Sequence, residues 1–384
     1  MHLTFSTSAF VYAGRPRPGF PIIMGDDQRP IQPMQSFLLW ALLERGKLLK
    51  PLTWDVYGRA IWDFASFLYA NELKWDEFPK TWGDSVVARY RDWSLFELRL
   101  RAKTVNARLR IVVAFYEWAR TEQHIAFVPF IYDEKSKRNA GFLAHVQNIT
   151  AKSKRAALLL SEWESPPEFL ATDQIRICRA TLASTSHRLL FDLMVRVGLR
   201  SCEARTFPLK YVFNPARRAD CTPARMIVVR LDPRDMLIKY DKPREVHIPY
   251  GLMCELHAYS LYERNRALGI DGDEAPVFLT AYGRPFSKSA IAEMMARLRR
   301  KVGFPVNALM LRHSYAVHTL LSLRKSSDYF GEPLLYVRDR LGHSSVETTT
   351  IYLRQIERLT GDLINAIESE FTMLFRETNG VGVA

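Results

Sequence analysis

No run in this 384-residue chain approaches the roughly 18 to 20 consecutive apolar residues that a membrane-spanning helix requires. The first 30 residues hold no basic start, apolar centre and small-residue cleavage site in that order, so no secretory leader is expected. Cysteine is scarce: Cys178, Cys202, Cys221 and Cys254 stand 19 or more residues apart, with no CxxC and no nearby histidine pair. That spacing speaks against a zinc motif and fits buried, reduced thiols. There is also no Gly-rich phosphate loop, no EF-hand-like acidic spacing, no internal repeat and no single basic amphipathic helix that could anchor to a membrane. Acid is in deficit, with 41 Asp and Glu against 54 Lys and Arg, a formal charge of +13. A field of that sign favours a polyanion such as nucleic acid. These absences together lead us to expect a soluble, cytoplasmic protein with no membrane partner, no metal and no cofactor.

The length suggests two domains. Residues 1–35, with Pro16, Pro18, Pro21, Pro30, Pro33 and several glycines, read as an irregular N-terminal arm. Over 36–133 the pattern is helical: Trp54, Ile61, Phe64, Ala65 and Leu68 recur at helical spacing, and so do Val105, Leu109, Val112, Tyr116 and Ala119. Thr104 is placed to cap the second of these helices, and Arg99, Arg101, Lys103, Arg108 and Arg110 give five positive charges with no acid over 99–110. They form a solvated face or a phosphate-contacting one. Residues 134–167 read as a basic interdomain linker that could follow a phosphate backbone. From 168 to 384 a second, mainly helical unit is expected, with helices near 173–183, 187–197, 250–267 and 287–301. The apolar runs "RMIVVRL", "MLIKY" and "EVHIP" between 225 and 250 suggest a small antiparallel sheet.

Four pieces of this second unit can carry chemistry. "GLRSCEARTFPL" (198–209) presents Arg200, with Glu203 three residues on; alone it fits a helix end with a surface ion pair. "IKYDKPREVHIP" (238–249) sets Lys239, Lys242 and Arg244 on a basic hairpin, where a lysine could donate a proton to a leaving oxygen. "LMLRHSYAVHTLL" (309–321) reads as a helix that brings Arg312 close to a core, where it needs an anion or a buried carboxylate such as Glu203. "LGHSSVETTTIYLR" (341–354) joins a glycine turn, His343 and serines that could cap a helix carrying Tyr352. Alone, Tyr352 is more often a packed aromatic than a nucleophile.

In this order and at these intervals, the pieces resemble the tyrosine recombinase (phage integrase) family. "LGHSS" followed by "TT" and "IY" is similar to its most recognisable signature, and "GLRSCE" and "LRHSYA" to its two arginine boxes. The resemblance covers about 170–360 in detail; the bundle over 36–130 matches the family's core-binding domain in pattern only. It implies a mainly α fold with a small antiparallel β-sheet, a helical core-binding domain joined by the basic linker to a catalytic domain. It also implies site-specific recombination or integration of double-stranded DNA through a 3′-phosphotyrosine on Tyr352, without metal or ATP. Arg200 and Arg312 would hold the charged oxygens of the transition state, since guanidinium forks match that geometry. Lys239 would be the general acid with Lys242 as fallback, His343 would hydrogen-bond a phosphate oxygen, and Glu203 would orient an arginine.

One departure stands out. The family normally carries a histidine three residues before the second arginine, to help with the tyrosine's proton; here that residue is Leu309, expected to share Arg312's face. His313, about 100° around the helix from Arg312, is expected to be a poor substitute, which leaves His343 or water. The alternatives are a catalytically weakened accessory DNA-binding member, or type IB topoisomerase-like activity. After Tyr352, Leu359, Leu363, Ile367 and Phe371 suggest an amphipathic terminal helix, which could pack on its own domain or, as the resemblance implies, tie a homo-tetramer together on synapsed DNA.

Overall fold

The structure, a computed structural model, describes residues 1–46, 51–79, 81–136, 152–162, 167–264, 275–280, 282–326, 329–343, 346 and 348–353. It divides into two compact units, Met1–Glu164 and Ser165–Ala384.

The first unit opens with four short strands, β1 (His2–Phe5), β2 (Val11–Tyr12), β3 (Arg15–Pro16) and β4 (Pro21–Met24). They pair antiparallel, β1 with β4 and β2 with β3. The prolines that suggested an irregular arm fall where a ladder tolerates a missing N–H: Pro21 opens β4, Pro16 ends β3, and each ladder has only two strands. Phe20 and Ile23 are buried in the helical core. Buried Gln35 clamps the segment, accepting from the Ile23 N–H at 3.0 Å and donating to the Pro21 carbonyl at 3.2 Å. The expectation of an irregular arm over 1–35 is therefore corrected; these residues are built into the first unit.

Helices α1 (Met34–Leu39), α2 (Pro51–Ala70), α3 (Val86–Asp92) and α4 (Ala102–Thr121) form the bundle. All ten periodic residues of the two expected helices, Trp54 to Leu68 on α2 and Val105 to Ala119 on α4, are buried. Each large apolar side chain buried here contributes about 1.5–3 kcal/mol to the bundle. Helix α4 starts two residues before Thr104, with Arg101 at the cap position and no side-chain cap, so Thr104 lies in the first turn and does not cap it.

Strands β5 (Tyr132–Ser136) and β6 (Lys152–Ala156) pair antiparallel. Beyond β6, buried Asn106 donates to the Leu160 carbonyl at 2.9 Å and to Glu162 at 2.8 Å, and accepts from the Leu160 N–H at 2.9 Å. Ala156 and Leu158 enter the bundle core. The part of the expected linker within 152–162 thus belongs to the first unit, while 137–151 lie outside the described residues.

The second unit contains α5 (Thr172–Thr181), α6 (Thr185–Arg196), α7 (Ser201–Arg205), β7 (Ile227–Leu231), β8 (Arg244–Ile248), α8 (Tyr250–Tyr262), α9 (Lys288–Val302), α10 (Ala308–Lys325) and α11 (Pro333–Leu341). Leu189, Leu190, Phe191, Leu193 and Met194 of α6 are buried at the centre of its main core. Strand β7 alternates as a half-buried strand should, with Ile227, Val229 and Leu231 inward, and pairs with β8 from Ile227↔Ile248 to Leu231↔Arg244. The run "MLIKY" is not a third strand: Met236 and Ile238 are buried, but Tyr240 and Asp241 turn at φ of 67° and 49°, which breaks a ladder. A smaller core joins Tyr315, Val317 and Leu320 of α10 to Val337 and Leu341 of α11 and to Tyr352. Among the described residues no helix is long and apolar enough to cross a membrane.

Candidate active site

The short helix α7 begins at the end of the turn after α6 and puts Glu203 wholly out of solvent. Arg200, at the cap position, donates its backbone N–H to Glu203 Oε2 at 2.8 Å and its Nη1 to Oε1 at 3.0 Å. Arg244, the first residue of β8, grips the same carboxylate as a fork, Nη1 to Oε1 at 2.9 Å and Nη2 to Oε2 at 2.6 Å. Its Nε donates to the Arg340 carbonyl at 2.9 Å. Burial would raise the Glu203 pKa, but the Arg244 hydrogen bonds and charge, with Arg312 behind them, outweigh it and hold the carboxyl at about 2. Glu203 orients two arginines, where one was expected. Arg244 was expected among DNA contacts on a hairpin tip; the structure corrects this, because its side chain is only 6% exposed and is spent on Glu203. Nothing local in "DKPRE" announces that burial; it arises from β8 packing against α11.

Arg312 is buried on α10, yet its partner is not Glu203. Its Nη1 donates to the Gly198 carbonyl at 2.6 Å and its Nη2 to the Leu341 carbonyl. Burial and the nearby Arg200 charge pull its pKa below the usual arginine value, so the site is short of negative charge. Two glycines make these approaches possible. Gly198 has φ +76°, and a Cβ there would meet the Tyr315 ring at 2.5 Å; Gly342 has φ +63°, and a Cβ there would meet Arg244 Cδ at 2.7 Å.

Past Gly342, His343 Nδ1 lies 3.0 Å from Thr349 Oγ1, and its ring stacks on Tyr352 at 6.3 Å between centroids. Tyr352 sits on a helical turn over 348–353 and is 2% exposed. Burial raises its pKa, while Arg312 and Arg200 pull the other way. Its hydroxyl lies 2.8 Å from His313 Nδ1. Burial and the Arg312 charge push His313 down to about 4; burial, Arg312 and Arg200 push His343 down to about 3, so both rings are neutral near pH 7. One expectation is corrected here: His313, set aside as a poor substitute, is the residue hydrogen-bonded to the phenol. Leu309 is 62% exposed in the first turn of α10. The "RH" pair was the available signal, because adjacent residues on a helix can serve one site when the second partner arrives from another element.

Among the described residues, the other expected residues make no hydrogen bond or ion pair with this cluster. Lys239 is exposed, its Nζ 4.9 Å from the Tyr240 ring centre, and Lys242 is exposed beyond it. In the first unit Arg99, Arg101 and Lys103 are exposed, but Arg108 is paired with Asp63 at 2.6 Å and Arg110 with Glu162 at 2.7 Å. Among the described residues no three His, Cys, Asp or Glu side chains form a group that could hold a metal ion. Ser344 and Ser345, and the terminal helix expected from Leu359 to Phe371, lie outside the described residues.

Residues 168–358 match the model of the phage integrase family. The matched residues, just under half of the chain, fall within the second unit and are similar to phage integrases. Transposase A from transposon Tn554 of Staphylococcus aureus is 23% identical over 246 residues, which are 64% of this chain and 64% of that protein, so the match spans less than two thirds of the transposase. The tyrosine recombinase XerC of Bacillus pumilus is 21% identical over 321 residues, 81% of this chain and 88% of that one. Among solved structures, the Tn1549 transposon integrase in complex with a circular intermediate DNA shares the fold with a TM-score of 0.56 at 16% identity, over 82% of this chain and 94% of that chain. The matched stretch contains Arg200, Glu203, Arg312, His343 and Tyr352.

Proposed function

We propose that the chain is a site-specific DNA recombinase that cuts and rejoins duplex DNA through Tyr352. The observation that carries this reading is the burial of one tyrosine hydroxyl within the field of two arginines, Arg312 and Arg200. Tyr352 Oη attacks the scissile phosphorus, the bond to the 5′ oxygen breaks, and the 3′-phosphotyrosine keeps the bond energy for rejoining, so neither ATP nor a metal ion is called for. The arginines meet the charge on the non-bridging oxygens, and His343 donates to one of them. Glu203 and Arg244 hold Arg200 in position. Lys239, or Lys242 beside it, supplies the proton to the departing 5′ oxygen from the exposed turn. Exchange between two duplexes cuts four strands and so calls for four protomers.

The test is incubation with nicked suicide duplexes of randomised sequence, followed by denaturing gels and sequencing of the attached DNA. Wild type forms a covalent adduct; Tyr352→Phe binds DNA equally well and forms none. No adduct with wild type, or joint loss of binding and adduct in the variant, overturns the reading.

A further inference from the structure

The buried Tyr352 hydroxyl has one hydrogen-bond partner described, and it is a nitrogen. His313 Nδ1 lies 2.8 Å from Tyr352 Oη. A neutral imidazole carries its proton on one nitrogen only. If Nδ1 held it, the buried O–H would have no acceptor among the described residues, a costly arrangement. With the proton on Nε2, Nδ1 accepts the phenolic O–H and both groups are satisfied. His343 is differently engaged: its Nδ1 lies 3.0 Å from Thr349 Oγ1 and its ring is near-parallel to that of Tyr352 at 6.3 Å between centroids, with no hydrogen bond to the phenol among those described. Leu309 has no proton-accepting atom and is exposed.

We infer that His313 is the base that takes the Tyr352 proton during strand cleavage. The inference rests on the transesterification proposed above. As the Oη–P bond forms and the P–O5′ bond breaks, the phenolic proton passes to His313 Nδ1 and the 5′ oxygen takes a proton from a separate acid. On rejoining, the 5′ hydroxyl returns its proton to that acid as it attacks, and the imidazolium returns its own to the departing phenolate. The charged or titratable groups facing His313 are Arg312 on its own helix, Tyr352 on the turn over 348–353 and His343 after α11. Burial and Arg312 keep the imidazole neutral and ready to accept over the whole neutral range. The same Arg312 and Arg200 charges that stabilise a phenolate make the transfer easier.

His313→Asn places an amide oxygen near Nδ1 that can accept the hydrogen bond but not the proton. Adduct formation on a suicide substrate is expected to slow about 100-fold or more at pH 7, with DNA affinity unchanged. Its rate should climb about tenfold per pH unit from 7 to 9, as the phenol must ionise unaided, whereas wild type stays flat. 3-Fluorotyrosine at 352, a more acidic phenol, should largely rescue the variant and alter wild type less than about threefold. A variant rate within about threefold of wild type, or the same flat pH profile, overturns the inference. So does a large acceleration of wild type by fluorotyrosine, a readout that does not depend on the variant folding. Absence of any wild-type adduct counts against the recombinase reading itself, so the two failures are distinguishable.

Discussion

Glu203 receives four hydrogen bonds from two arginines, and their geometry depends on its staying ionised. Its pKa is depressed from 4.5 to about 2, so the stability it contributes is fully present above pH 4.5 and is lost as pH falls towards 2. The depression corresponds to roughly 3 kcal/mol. Glu203→Gln is expected to lower the urea midpoint of the full chain at pH 7 and to flatten its fall between pH 4.5 and 2; an unchanged pH profile would show that the carboxylate titrates normally. Arg200, Arg312, His343 and Tyr352 were legible because each lies in a short motif whose residues are local in sequence. Arg244 and His313 were not. Arg244 becomes a site residue only when β8 meets α11, and His313 only when the turn bearing Tyr352 closes over α10. A helical wheel reports directions from one axis and says nothing of what comes to meet them.

At the level of elements, the site is assembled from ends: the start of α7, the start of β8, the first half of α10 and the turn that stops α11. Element ends free the chain to aim backbone carbonyls inward, and Arg312 uses two of them, from Gly198 and Leu341. Gly342 serves as the left-handed stop of α11 and as the gap that admits Arg244. Gly342→Ala should therefore pay twice, about 1–2 kcal/mol for the left-handed backbone and a further loss from displacing Arg244. Gly342→Asn, which tolerates that backbone but also carries a Cβ, separates the two: thermal melts should show it intermediate in stability, with adduct formation as slow as in the alanine variant. Equal stability of Asn and wild type would remove the steric part of the argument. Element type was largely readable from periodicity, whereas the N-terminal ladders were hidden by their prolines, which sit at strand ends where no N–H is required.

Across the whole molecule the excess of +13 is not spread uniformly in its availability. Of the basic cluster over 99–110, Arg108 and Arg110 are already engaged with Asp63 and Glu162, while Arg99, Arg101 and Lys103 are exposed. Charge counted along a sequence overstates what a polyanion can reach, because intramolecular carboxylates have first claim on the half-buried cations. Each phosphate neutralised contributes a slope of about −0.9 to log K against log salt on duplex DNA. Replacing Arg99, Arg101 and Lys103 together by alanine should thus flatten that slope by up to about 3 and weaken binding to duplexes of any sequence, with thermal stability unchanged. Arg108→Ala should do the reverse, lowering the melting temperature by uncovering Asp63 and Tyr90 while leaving the slope alone. Fluorescence anisotropy on a duplex of arbitrary sequence at several salt concentrations reads both. A triple variant with the wild-type slope would assign this face to solvent and move the DNA-binding charge elsewhere on the chain.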